Sequence, residues 1–222
     1  MARALTAADR RAAKALAAAD PAMAALIERI GPRPIADRMR GGSHFEDLAR
    51  IVVGQQVSTA AARTIWGRVC DAFGGEAPAP EQMLDATDVL RGCGLSGRKA
   101  SYMVGIAEAI VAGDFDPEGL AELPDDEVTE QLTALKGLGQ WSAEMFLMFN
   151  LGRPDVFSGG DLGLRNGIRI LLELEEAPPP RECVEIATRW SPHRTLASIY
   201  LWEAVHAELP GGRPGAGVDQ RG

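Results

Sequence analysis

The sequence predicts an all-α protein, and three observations carry that expectation. Residues that start helices, each followed by apolar positions at helical spacing, recur along nearly the whole chain, as at Asp20-Pro21, Ser43, Ser58 and Ser96. Strand signals are nearly absent: the best of them, Ile51-Val52-Val53, is short and lies inside a helical pattern. Hydrophobic residues make up 46% of the 222, which suffices for a buried core and suggests neither a disordered chain nor a membrane protein.

Taken in order, Asp20 reads as the N-cap of a helix with Pro21 at its first position and Gly31 closing it. Ser43-x-x-Glu46 has the pattern of a capping box, and it opens a segment in which Phe45, Leu48, Ile51 and Val52 share a face. Ser58 caps the next helix, where Ile65, Val69 and Phe73 fall on one side. Ser96 starts a long helix whose stripe is Ala100, Met103, Val104, Ala107 and Ile110. Pro124 and Asp125-Asp126-Glu127 suit a first turn, because negative charge is favourable at the positive end of the helix dipole. That helix runs to Leu135 and stops at Lys136-Gly137-Leu138-Gly139. A second helix follows at once, and Met145 to Phe149 are apolar on every side, which predicts deep burial. Helices near 161–174, 181–190 and 195–208 complete the set. From Pro210 the Gly/Pro-rich end reads as a flexible tail. The expected organisation is one helical domain over 1–209, with a hairpin at about 126–150, and a tail over 210–222.

Composition excludes several function classes. No run approaches the roughly 18 apolar residues of a membrane span. Near the N-terminus, Arg3 and Asp9-Arg10-Arg11 break any signal-peptide pattern, so the expected location is cytoplasmic. Cys70, Cys93 and Cys183 form no C-x-x-C pair, and His44, His193 and His206 are equally scattered, so neither a metal nor any other cofactor is expected. A net charge of −8 argues against coating nucleic acid by bulk charge. It leaves open a grip on a few phosphates through backbone amides.

The sharpest local feature is Leu135-Lys136-Gly137-Leu138-Gly139-Gln140-Trp141-Ser142-Ala143. Two glycines two apart between good helices predict a tight turn that other residues would strain. The start of the second helix then offers unpaired N–H groups to an anion such as a phosphate. On its own, G-x-G between helices is also an ordinary connector.

Together with Phe157-x-x-x-Asp161-Leu162-Gly163-Leu164-Arg165, this segment resembles the helix-hairpin-helix DNA glycosylase superfamily, and within it the bacterial 3-methyladenine DNA glycosylase II group. The resemblance extends through Ile51-Val52-Val53-Gly54-Gln55-Gln56-Val57-Ser58, Gly94-Leu95-Ser96-x-x-Lys99-Ala100 and Arg189-Trp190-x-Pro192-x-Arg194, and covers about residues 20–208. It implies a two-lobed helical fold with the active site in the cleft between lobes. Members of that group often carry an extra N-terminal mixed α/β domain, which this chain is expected to lack.

The resemblance makes Asp161 the catalytic carboxylate. Read alone, Gly159-Gly160-Asp161 before Leu162 is an N-cap, and the two readings are compatible: the positive helix end favours an anion there. Breaking an N-glycosidic bond builds positive charge on the sugar, which a fixed carboxylate stabilises. An N-alkylated purine is already cationic and leaves without an acid's help, so one carboxylate is enough, unlike the usual pair. Trp141 would receive the flipped, electron-poor base by stacking and cation–π attraction. Relatives that also nick DNA carry a lysine there, so the resemblance implies a monofunctional enzyme. Trp202 matches a second pocket aromatic, and Met145 stands where a relative can have one. A tryptophan on a helix face is otherwise an ordinary core residue. The Gln55-Gln56 loop is implied to enter the gap left by the flipped nucleotide, with Gln56 as the wedge. Lys136, Gly137, Leu138, Gly139 and Arg165 are expected at the DNA, and Arg98, Lys99 and Arg194 are further candidates for phosphate contacts.

The implied substrate is double-stranded DNA containing alkylated purines such as 3-methyladenine and 7-methylguanine, acted on by a monomer. The alternatives are a glycosylase for another class of lesion, a damage-sensing DNA-binding protein without turnover, and a helical adaptor. The missing four-cysteine cluster and the missing lysine speak against adenine-mismatch and oxidised-pyrimidine enzymes.

Overall fold

The computed structural model describes residues 5–33 and 42–207, so the expected tail from residue 210 lies outside the described residues. Among them there are twelve α-helices and no strand. No helix of the described residues is long and apolar enough to cross a membrane. The chain divides into two compact units, one built from Met1–Met39 with Gly152–Gly222, the other from Arg40–Leu151.

The first unit contains α1 (Ala7–Ala19), α2 (Pro21–Ile30), α10 (Leu162–Leu171), α11 (Pro180–Ala187), a 3-10 turn at Thr188–Trp190, and α12 (Arg194–His206). Helix α1 is additional to the elements singled out from sequence. Its capping box uses Asp9: the Asp9 N–H donates to the Thr6 hydroxyl and the Asp9 carboxylate accepts from Thr6 N–H. Asp20 caps α2 as expected, its Oδ1 accepting from the N–H groups of Ala22 and Met23 at 2.9 and 3.3 Å. Its second oxygen accepts from the indole N–H of Trp190 at 3.0 Å, which joins positions 170 apart in sequence. Both residues are buried, so leaving either group unpaired would cost the full desolvation penalty.

Helix α12 is the centre of this unit, with Leu196, Ala197, Ile199, Tyr200, Leu201 and Ala204 all buried. Full burial of a large aliphatic side chain contributes about 1.5–3 kcal/mol. A Cβ at Gly167 would lie 2.7 Å from both Cβ and O of Leu201, so this glycine lets α10 and α12 meet backbone to backbone. The start of α12 is fixed by Asp155, whose two oxygens accept from Arg194 Nε and Nη2 at 2.8 and 3.0 Å. Burial pushes the Asp155 carboxyl up, but the bonds from Arg194 and Ser191 outweigh it and hold the group below the usual carboxylate value.

The second unit contains α3 (His44–Gly54), α4 (Thr59–Ala72), the short α5 (Pro80–Met83) and α6 (Thr87–Gly92), α7 (Gly97–Ala112), α8 (Asp125–Ala134) and α9 (Gln140–Phe149). Ser58 and Ser96 cap as expected, accepting from Ala61 N–H at 3.2 Å and Lys99 N–H at 3.3 Å. At Ser43 half of the expected box is present. The hydroxyl accepts from Glu46 N–H, but the Glu46 carboxylate turns along the helix to Arg50. The ion pair one turn away draws the carboxylate along the helix, with Arg50 donating to Oε1 through both Nε and Nη2. The core gathers Leu48 and Val52 of α3, Ala100, Met103 and Ala107 of α7, and Val128 and Leu132 of α8. Ala143, Phe146 and Met148 of α9 join it fully buried, as the all-round apolar pattern predicts.

Candidate functional site

The hairpin joining α8 to α9 needs only one of its two glycines for the turn itself. Gly137 has φ +97, and a Cβ there would run into the ring of Tyr102, so backbone and space both require glycine. Gly139 is extended, at φ −115 and ψ −175, and a Cβ on it would meet nothing within 4 Å. The expectation that both glycines relieve strain is therefore corrected: at Gly139 nothing in the protein excludes a side chain. Leu138 is corrected too. Its side chain is buried and its N–H donates to Leu135 O at 3.1 Å, so it anchors the turn and does not offer an amide to DNA. Gly139 is the N-cap of α9 and has no side chain to hold the first-turn amides, which leaves an open helix N-terminus of the kind that binds anions. Lys136 is exposed beside it.

Two residues expected at the DNA are occupied inside the protein. Gln55 directs its amide nitrogen to Gly137 O at 2.8 Å and to Ser142 Oγ at 3.2 Å. Lys99 donates from Nζ to Val53 O at 2.9 Å and to Gln55 O at 2.6 Å, where it caps the C-terminal end of α3. Burial lowers the Lys99 pKa from its ordinary value. Gln56, by contrast, is exposed at the tip of the loop between α3 and α4, with a left-handed φ of +54. That position suits the wedge role.

Trp141 and Met145 line one cavity of about 600 Å³ in the second unit, inside the range of about 300–1,000 Å³ common for small-molecule sites. The same cavity is lined by Glu46, expected only as a capping residue, and by Arg50 and Trp66, which sequence reasoning did not single out. The Arg50 guanidinium lies over the Trp66 ring, 4.7 Å from its centroid, and is paired with Glu46. The Glu46–Arg50 spacing of four is visible in the sequence, but nothing local announces Trp66.

In the first unit Asp161 is the N-cap of α10. Its Oδ1 accepts from Leu164 N–H at 2.8 Å and from the Trp202 indole N–H at 2.9 Å. Trp202, expected as a base-stacking aromatic, thus commits its polar edge to the carboxylate. Gly163 permits this approach, since a Cβ there would come within 2.8 Å of Trp202 Cδ1 and 3.0 Å of Asp161 Oδ1. Gly163 and Gly167 stand four apart on α10, a spacing that could have signalled this close packing. Arg165 Nε donates to Pro178 O at 2.8 Å, which ties α10 to the segment before α11. Arg194 is held by Asp155, as described above. These bonds give both arginines a structural role within the first unit. Among the described residues no three of His, Cys, Asp and Glu gather as a metal-ion cage.

A family model for the HhH-GPD superfamily of base excision DNA repair proteins matches residues 49–193. The chain belongs to this superfamily. An HhH-GPD relative, DNA-3-methyladenine glycosylase 1 of Schizosaccharomyces pombe, is 35% identical over 181 residues, covering 80% of this chain and 79% of that protein. The solved structure of the same yeast's 3-methyladenine DNA glycosylase in complex with abasic DNA superposes with a TM-score of 0.84 at 33% identity. That match covers 91% of this chain and 99% of the other. A 3-methyladenine glycosidase from Bacillus halodurans gives a TM-score of 0.74 at 36% identity, covering 89% and 91%. The all-helical fold expected from sequence is thus an HhH-GPD fold, and both the hairpin and Asp161 fall inside the matched region.

Proposed function

We propose that this chain is a monofunctional DNA glycosylase that hydrolyses the N-glycosidic bond of alkylated purines in duplex DNA and so starts base excision repair. The observation that carries the reading is the carboxylate of Asp161, fixed at a helix N-terminus by two donors on one oxygen. A carboxylate held this way needs no reorganisation when positive charge develops on the sugar. 3-Methyladenine and 7-methylguanine leave as neutral bases once the bond breaks, so no second acid is required. Trp141 offers an indole face to the cationic base and, unlike lysine, no amine to attack the sugar. Phosphates are held by the open amides at Gly139, with Lys136 beside them. Gln56 enters the stack from the exposed tip of its loop. The relatives' names and the abasic-DNA complex of the yeast protein support DNA as the partner.

The test is release of free bases from methylated duplex DNA, separated by chromatography. Expected are methylated purines in the supernatant and a DNA strand that stays intact until treated with base. Borohydride should trap no enzyme–DNA adduct; an efficient adduct would mean an amine attacks the sugar and the enzyme also cuts the strand. Failure to release any methylated purine would remove the alkylated-base assignment.

A further inference from the structure

We propose that Gln55 and Lys99 are positioning residues that fasten the Gln56 loop, Gln55 to the hairpin and Lys99 to α7, so that loop and hairpin meet DNA as one rigid surface. The inference rests on the glycosylase reading above, which gives the loop and the hairpin a common ligand. Its basis is two bonds on each side of the loop's base. From the hairpin side, Gly137 O and Ser142 Oγ both accept from the Gln55 side-chain amide, at 2.8 and 3.2 Å. From the α7 side, Lys99 Nζ donates to the carbonyls of Val53 and Gln55, at 2.9 and 2.6 Å. These carbonyls end α3, where acceptors lack intrahelical donors and a cation is favourable.

Backbone and side chain of Gln55 are thus held by two different elements, and the next residue is the exposed Gln56. A non-glycine residue rarely adopts the left-handed backbone seen there, and such conformations persist where the surroundings over-determine them. The consequence concerns ordering. A loop already held in place does not have to be ordered when DNA binds, and phosphates gripped by the hairpin then fix where the Gln56 side chain enters the stack. Released from the hairpin, the loop would still leave a working phosphate grip, but its insertion would be disfavoured. The loss should fall on duplexes with a gap to fill and spare undamaged ones.

The experiment compares the full chain with Lys99→Met, Lys99→Arg and Gln55→Leu. Fluorescence anisotropy measures binding to an undamaged duplex and to one with a tetrahydrofuran abasic analogue, across a salt series. Lys99→Met and Gln55→Leu should each lose about tenfold of the preference for the abasic duplex, the scale of one lost hydrogen bond. Lys99→Arg, which keeps the donors, should retain it. The salt slope should be that of the parent in all three. A slope reduced by about one phosphate contact in Lys99→Met would make Lys99 a direct DNA ligand and overturn the proposal. Parent-like preference in both neutral variants would overturn it equally. If Lys99→Met does not fold, Gln55→Leu, at a half-buried position, carries the comparison alone. A parent that binds neither duplex overturns the glycosylase reading and the lock together, and shows it before any variant is made.

Discussion

Replacing Asp161 with Asn should separate folding from chemistry, because the structure shows which oxygen does the holding. Oδ1 accepts from both Leu164 N–H and Trp202 Nε1–H, at 2.8 and 2.9 Å. The amide oxygen of Asn can take that place and keep both bonds. Asn caps helices about as well as Asp, and the lost charge–dipole interaction costs folding about 0.3–1 kcal/mol. The loss to catalysis is larger. A unit charge about 4 Å from the developing cation, at an effective dielectric of about 20, is worth roughly 4 kcal/mol, or on the order of a thousandfold in rate. The assay is single-turnover release of 3-methyladenine and 7-methylguanine from methylated duplex DNA, with binding to an abasic-analogue duplex measured alongside. Turnover should fall about a thousandfold with binding retained. Turnover near the parent's would remove Asp161 from the mechanism, whatever the stability result.

Three further outcomes are expected. Gly137→Ala should destabilise the fold by about 1–3 kcal/mol, because of its left-handed backbone and the Tyr102 ring, whereas Gly139→Ala should cost only the N-cap preference of Gly over Ala, about 0.5–1 kcal/mol, and should weaken DNA binding by crowding the anion site. Equal melting losses in the two would contradict the geometry of the turn. Gly163→Ala gains about 1 kcal/mol of helix propensity but pushes a methyl against Trp202 and Asp161. Its melting temperature should stay near the parent's while turnover falls about ten- to a hundredfold, and parent-like turnover would show that Trp202 does not position the carboxylate. Asp155 has a folded-state pKa below its ordinary 3.8, so its contribution is present above pH about 4 and is lost as pH falls. The melting gap between parent and Asp155→Asn should therefore be widest near neutrality and close in acid, as read by thermal unfolding from pH 7 to pH 2. A gap that does not change with pH would mean the ion pair with Arg194 is not its source.

Much of the fold was legible because its signals are local. Asp20, Ser58, Ser96 and Asp161 each cap a helix within three residues of themselves, and the all-apolar run through Phe146 can only be buried. Helix α1 was missed because its box uses Asp at the third position instead of the longer Glu or Gln. Asp161 was legible as a cap for the same reason, but its catalytic role is implied only by the resemblance, since an N-cap carboxylate is ordinary. Basic side chains were not legible. Lys99, Arg165 and Arg194 all look like phosphate ligands in a sequence, and each is already bonded within the protein.

By itself the sequence determined most of the long helices, several of their caps, the position of the hairpin and the carboxylate at the head of α10, since caps and periodicity act over three or four residues. Only the tertiary structure decided which polar groups are already engaged. Gln55 meets its acceptor 82 residues away, Lys99 reaches back 44, and Asp20 waits 170 residues for Trp190. The same holds for the two hairpin glycines, which look alike in sequence. One is required by a tyrosine from another helix and by its own backbone angle, and the other faces open space. A hydrogen bond or a steric limit set by a distant partner leaves no periodic trace in either segment, because its geometry exists only after the helices have packed.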